Sequence, residues 1–154
     1  MSTHPDFEEL FRLLEENGVD YMIVGGYAVA FHGYPRFTKD IDVFFRASAA
    51  NVSRIRQALV SFGFGEEDLP SDAFLTRGNV LTFGVTPTRI DLLNEIDGVT
   101  YDQAEATVVR GVYGKVNVTF IGLDALLKNK GSTPCAKDKG DVKELMGLED
   151  ATDE

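Results

Sequence analysis

The chain has a single cysteine, Cys135, so neither an internal disulfide framework nor a multi-cysteine zinc site is open to it. Long apolar runs are missing as well. None approaches the ~20 residues that cross a bilayer. The polar opening Met1-Ser2-Thr3-His4-Pro5-Asp6 lacks the pattern of a signal peptide. The expected setting is cytoplasmic, with no membrane partner. Positive charge is also scarce: 15 Lys+Arg against 25 Asp+Glu leave a net charge of −10. That balance excludes a protein that coats nucleic acid through a broad basic surface. A small basic groove for one triphosphate or one RNA end stays compatible with it. Repeats, low-complexity tracts and linkers are absent too.

What is present is the composition of a globular domain. The 154 residues are 44% hydrophobic and 26% charged, enough for a core that needs no staples. One domain is expected over residues 1–148, followed by an acidic tail at 149–154 that holds Glu149, Asp150, Asp153 and Glu154. Lys128, Lys130, Lys137, Lys139 and Lys143 crowd the C-terminal quarter.

Apolar spacing predicts the elements. Asp6 reads as an N-cap with Glu9 reaching back, before a stripe of Phe7, Leu10, Phe11 and Leu14 that Asn17-Gly18 ends. Tyr21-Met22-Ile23-Val24 reads as a buried strand running into Gly25-Gly26, and Ala28 to Phe31 as a short helix. A strand is expected from Asp40 to Phe45. Ser48 then caps a helix carrying Val52, Ile55, Leu59 and Phe62. Residues 65–72 read as an acidic loop. Strands are expected over Val80–Val85 and Arg89–Leu93, joined at Pro87, with a hairpin at Val108–Val112 and Val116–Ile121 around Gly114. Helices from Leu123 to Lys130 and from Lys137 to Leu148 finish the chain. The fold class is α+β (α/β): a mixed sheet of four to six strands flanked by helices.

The chemistry concentrates in Asp40-Ile41-Asp42-Val43. Residues two apart on a strand share a face, so the two carboxylates point at one spot. At roughly 4 Å and an effective dielectric near 20 they repel by about 4 kcal/mol. A cation or a proton between them relieves that cost. Asp91, flanked by Ile90 and Leu92, is a third strand carboxylate, expensive to ionise unless paired or metal-bound. Arg89 is one partner it can take. Gly25-Gly26 makes a strand–helix corner where backbone N–H groups can receive phosphate. Together these features suggest metal-assisted nucleotide chemistry.

The combination Val24-Gly25-Gly26, Asp40-Ile41-Asp42-Val43 and Ile90-Asp91-Leu92 resembles the nucleotidyltransferase superfamily, the DNA polymerase β-like group. The likeness extends to its small prokaryotic branch of AbiEii-like toxins and minimal nucleotidyltransferases. It is carried by Gly25-Gly26-Tyr27-Ala28, His32-Gly33 and Arg36-Phe37-Thr38-Lys39-Asp40-Ile41-Asp42, and further on by Leu126-Leu127-Lys128-Asn129-Lys130 and Lys137-Asp138-Lys139-Gly140-Asp141. Pro134-Cys135 stand where that branch has Gly-Arg.

The resemblance implies transfer of an NMP from an NTP, with ATP the expected donor, to a hydroxyl acceptor on a protein, an RNA or tRNA end, or a small molecule; a protein or a tRNA end, as in toxin–antitoxin pairs, is the preferred expectation. It implies two Mg²⁺ ions held by Asp40, Asp42 and Asp91, with Asp91 as general base or its metal-bound equivalent. Gly25, Gly26, Arg36, Lys39 and Lys130 are the expected triphosphate contacts, and a helical toxin or antitoxin protein is an expected partner. Two alternatives stand beside it. One is a catalytically inactive nucleotide- or partner-binding module on the same fold. The other is a metal-dependent phosphodiesterase, which the glycine corner disfavours.

Overall fold

A computed structural model of the protein describes residues 4–34, 40–84 and 89–132. The expected helix at Lys137–Leu148, the Pro87 junction, Pro134-Cys135, Arg36, Lys39 and the acidic tail lie outside those residues.

Helix α1 (Pro5–Glu16) buries Phe7, Leu10, Phe11, Leu13 and Leu14, the expected stripe. Its start differs from the expectation. His4 is the N-cap, its Nδ1 accepting from the Asp6 N–H at 3.1 Å, and Pro5 opens the first turn. Proline suits that position because the N–H it lacks has no intrahelical partner there. Strand β1 (Tyr21–Val24) is buried throughout and passes directly into α2 (Gly25–Phe31). The two glycines therefore form the first turn of that helix rather than a loop before it.

Strand β2 (Ile41–Phe45) starts one residue after Asp40, which sits in a bend just ahead of it. Helix α3 (Ala49–Phe62) is capped by the Ser48 side chain and closed by Gly63, as its sequence predicts. The stretch read as an acidic loop contains a 3-10 turn at Glu66–Asp68 and runs into a short helix, α4 (Ser71–Leu75), pinned by the buried Phe74. Strands β3 (Val80–Phe83) and β4 (Ile90–Leu93) follow, then α5 (Tyr101–Glu105), which the sequence reading did not anticipate. The hairpin of β5 (Val109–Tyr113) and β6 (Val116–Phe120) leads into α6 (Leu123–Gly131).

The six strands form one mixed sheet in the order β3-β4-β2-β1-β6-β5. Strands β1 and β2 are antiparallel, with Val24 opposite Asp42. Strands β2 and β4 are parallel, and their register sets Asp42 beside Asp91. Helices α1 and α3 pack on each other, α1 also against β6, and α2 lies against β1 and β2. Burying Ile41, Val43, Phe44, Phe45, Ile90 and Leu92 anchors the two carboxylate strands. Each such side chain contributes about 1.5–3 kcal/mol.

One polar residue fixes the register of the central pair. Asn51, fully buried in the first turn of α3, accepts from the Asp20 N–H at 2.7 Å. Its Nδ2 donates to the carbonyls of Asp20 at 2.9 Å and Arg46 at 2.8 Å. The amide thereby ties the entry to β1 to the exit from β2. Just past that exit, Arg46 pairs with Asp102 and Glu105, each at 2.7 Å, and lies over the Tyr101 ring. That clamp holds α5 against the end of β2.

Candidate active site

The site lies where β1 ends and β2 and β4 begin. Gly25, the first residue of α2, has φ +68, a conformation that costs any residue with a Cβ. Space forbids a Cβ as well: it would collide with Asp42 Oδ2 and lie 3.1 Å from Asp42 Cγ. The corner glycine is therefore the surface against which the Asp42 carboxyl rests. No side chain caps the start of α2, so its first-turn N–H groups lack the usual internal acceptor.

The electrostatics follow from crowding. Burial pushes the Asp42 carboxyl up from 3.8 to about 6, and the neighbouring charges of Asp91 and Asp40 push the same way. Lys130, and more weakly Arg89, oppose that rise. Lys130 is only 9% exposed, in the last turn of α6, and its charge acts on Asp42; the sequence reading makes it a triphosphate contact. Asp40, Asp42 and Asp91 are thus brought within electrostatic reach of one another, with Gly25 and Lys130 alongside.

Asp91 is engaged more closely than the sequence pattern implied. Arg89 grips it through two parallel hydrogen bonds, Nε to Oδ1 at 3.0 Å and Nη2 to Oδ2 at 2.9 Å. Thr82, opposite it on β3, donates its hydroxyl to Oδ1 at 2.7 Å. Among the described residues no three carboxylate, histidine or cysteine groups are disposed to hold a metal ion. Thr82 was missed by the sequence reading; its place opposite Asp91 follows from strand register, which no local pattern announces. His32 is engaged elsewhere, its Nε2 2.7 Å from the Ile121 carbonyl and its ring against Phe31.

A family model described as nucleotidyl transferase of unknown function (DUF2204) matches residues 3–148. The chain belongs to that family. This nucleotidyl transferase is also similar to a solved structure, the lincomycin-bound lincosamide antibiotic adenylyltransferase LnuA. The TM-score is 0.54 at 18% identity, over 94% of this chain and 96% of that one. At that identity the likeness is one of fold, and it matches the mixed six-stranded sheet with flanking helices. Comparison with curated proteins returns no match. Among the described residues of this nucleotidyl transferase, no helix is long and apolar enough to cross a membrane.

The chemistry of the carboxylates suits a divalent cation, while their arrangement among the described residues does not bring three of them together as ligands. Asp40 and Asp42 offer hard carboxylate oxygens of the kind Mg²⁺ takes. The Asp42 carboxyl is raised first by burial and then by the charges of Asp91 and Asp40, and a cation beside it would offset the charge part of that cost. Asp91 fits as a further ligand once its oxygens are freed.

Proposed function

We propose that the protein is a Mg²⁺-dependent nucleotidyltransferase that moves an NMP, from ATP first among the NTPs, to a hydroxyl acceptor. The observation that carries this reading is the in-register pair Asp42–Asp91 beside a left-handed Gly25. Asp40 and Asp42 would hold one ion and, with Asp91, a second. Mg²⁺ there would supply neutralisation of the triphosphate charge and a lowered pKa for the attacking hydroxyl. The uncapped first turn of α2 at Gly25 and Gly26 receives phosphate oxygens through backbone N–H groups. Lys130, with Arg36 and Lys39 beyond the described residues, offsets charge that develops on the leaving pyrophosphate. Asp91 accepts the proton of the acceptor hydroxyl at a carboxylate oxygen.

For the acceptor, a small molecule is the first choice, ahead of a protein or a tRNA end. Fold similarity to an enzyme named for adenylyl transfer to an antibiotic supports that order, and the net charge of −10 disfavours a long nucleic acid. A helical partner protein in a toxin–antitoxin arrangement completes the proposal and rests on the sequence resemblance. A cytoplasmic setting, supported by the single cysteine, and domain limits of 1–148 with a separate acidic tail, supported by length and composition, belong to it as well.

The grip of Arg89 on Asp91 favours a second reading, a nucleotide-binding module without turnover. One comparison separates the two. Wild-type protein with Mg²⁺, labelled NTPs and a panel of small-molecule, protein and tRNA acceptors releases pyrophosphate in the first reading, and Asp42→Asn does not. Equal release from both proteins, or none from either, rules the enzyme out.

A further inference from the structure

Three hydrogen bonds converge on the two oxygens of Asp91, two from the Arg89 fork and one from the Thr82 hydroxyl. A bidentate guanidinium–carboxylate pair is among the strongest side-chain arrangements, because both bonds are charge-assisted and parallel. Its position is unusual for a mere structural tie. The Asp91 side chain is 12% exposed and lies in register with Asp42, whereas that of Arg89 is 41% exposed. The cation is therefore the more exposed partner, at the edge of the site, and the carboxylate sits on a buried strand.

Resting on the metal-dependent reading above, we propose that Arg89 is a built-in counter-cation that occupies Asp91 while no divalent ion is bound. One carboxylate faces two claimants, a guanidinium and a metal ion. The ion gains Asp91 as a ligand only when the Arg89 fork turns outward. Thr82 reinforces the closed arrangement by taking up a lone pair of Oδ1. Both act through Asp91 as positioning residues, setting how much of it is available.

The test is Mn²⁺ binding, followed by the loss of the free-ion electron paramagnetic resonance signal, with and without a non-hydrolysable ATP analogue. Wild type is compared with Arg89→Leu, Arg89→Lys and Thr82→Val. Without nucleotide, Arg89→Leu is expected to bind Mn²⁺ about tenfold more tightly, the factor that corresponds to 1.4 kcal/mol. Arg89→Lys keeps the charge but loses the fork, and Thr82→Val keeps the shape but loses the hydroxyl; each is expected to tighten binding by a smaller factor. Unchanged or weaker binding in both of these overturns the proposal, even if Arg89→Leu binds tightly, because charge removal alone then accounts for it. Absence of Mn²⁺ binding by every protein, with nucleotide present, removes the metal-dependent reading and the proposal together. Thr82→Val is near-isosteric, so the comparison stands even if Arg89→Leu fails to fold.

Discussion

Replacing Asp42 by asparagine should make the metal-free protein more stable at neutral pH while abolishing its transfer activity. The Asp42 carboxyl is pushed up from 3.8 to about 6, first by burial and then by the charges of Asp91 and Asp40. The folded form thus holds a proton more tightly than the unfolded chain. Stability is full below pH 4, falls as pH rises from about 4 to 6, and is level above that. At roughly 1.36 kcal/mol per tenfold change in proton affinity, the deficit at pH 8 is at most about 3 kcal/mol. Asp42 is only partly buried, and solvent screening trims the figure to roughly 2 kcal/mol. Urea unfolding at pH 8 and pH 4 measures it directly. Asp42→Asn should exceed wild type by about 2 kcal/mol at pH 8, with the gap closing at pH 4. Mg²⁺ at ten times its dissociation constant should restore about 1.4 kcal/mol to wild type and nothing to the variant. A variant less stable than wild type at pH 8, or a gap that ignores pH, refutes the account of a strained acidic cluster.

Other perturbations separate the roles of the neighbouring residues. Gly25→Ala combines a left-handed backbone with a clash against Asp42, and should cost at least about 2 kcal/mol in urea unfolding and weaken ATP-analogue binding by calorimetry. Asn51→Ala leaves an N–H and two carbonyls at the strand ends without their partner, and should cost about 3 kcal/mol; a loss below about 1 kcal/mol in the same assay counts against its role in register. Lys130→Met removes a charge that offsets Asp42 and should lower kcat/KM for the NTP at least about tenfold with little effect on the fold by circular dichroism.

The strands were readable because their signals are local. Tyr21-Met22-Ile23-Val24 and Ile41 to Phe45 are short apolar runs bounded by Gly25 and Asp40, and both became central strands. Flanking hydrophobics marked Asp42 and Asp91 as strand carboxylates among buried neighbours, while their meeting was implied by the family resemblance and is set by the β2–β4 register. Two short helices, α4 and α5, escaped notice. Helix α5 spans five residues and is set by a Thr100–Gln103 capping box and the Arg46 clamp, not by an apolar stripe. Helix α4 is held by Phe74 alone among its buried residues. The α1 cap was misassigned because Asp6 is the usual capping type, whereas here a histidine nitrogen does the accepting. Thr82 and Asn51 could not be found at all, because their partners are chosen by pairing across the sheet and between layers. A strand pattern names faces; it does not name opposite numbers.

The amide that staples the far end of the central pair has a bearing on quality control. Side chains on a strand alternate, so sliding β2 by one residue against β1 would swing Asp42 into the hydrophobic layer and an apolar neighbour into the nucleotide corner. The tether from Asn51, three bonds to Asp20 and Arg46, makes that slip costly at a point remote from the chemistry. Correct assembly and a competent triphosphate cradle therefore depend on the same alignment, and a molecule that mispairs is disarmed by its own misfolding.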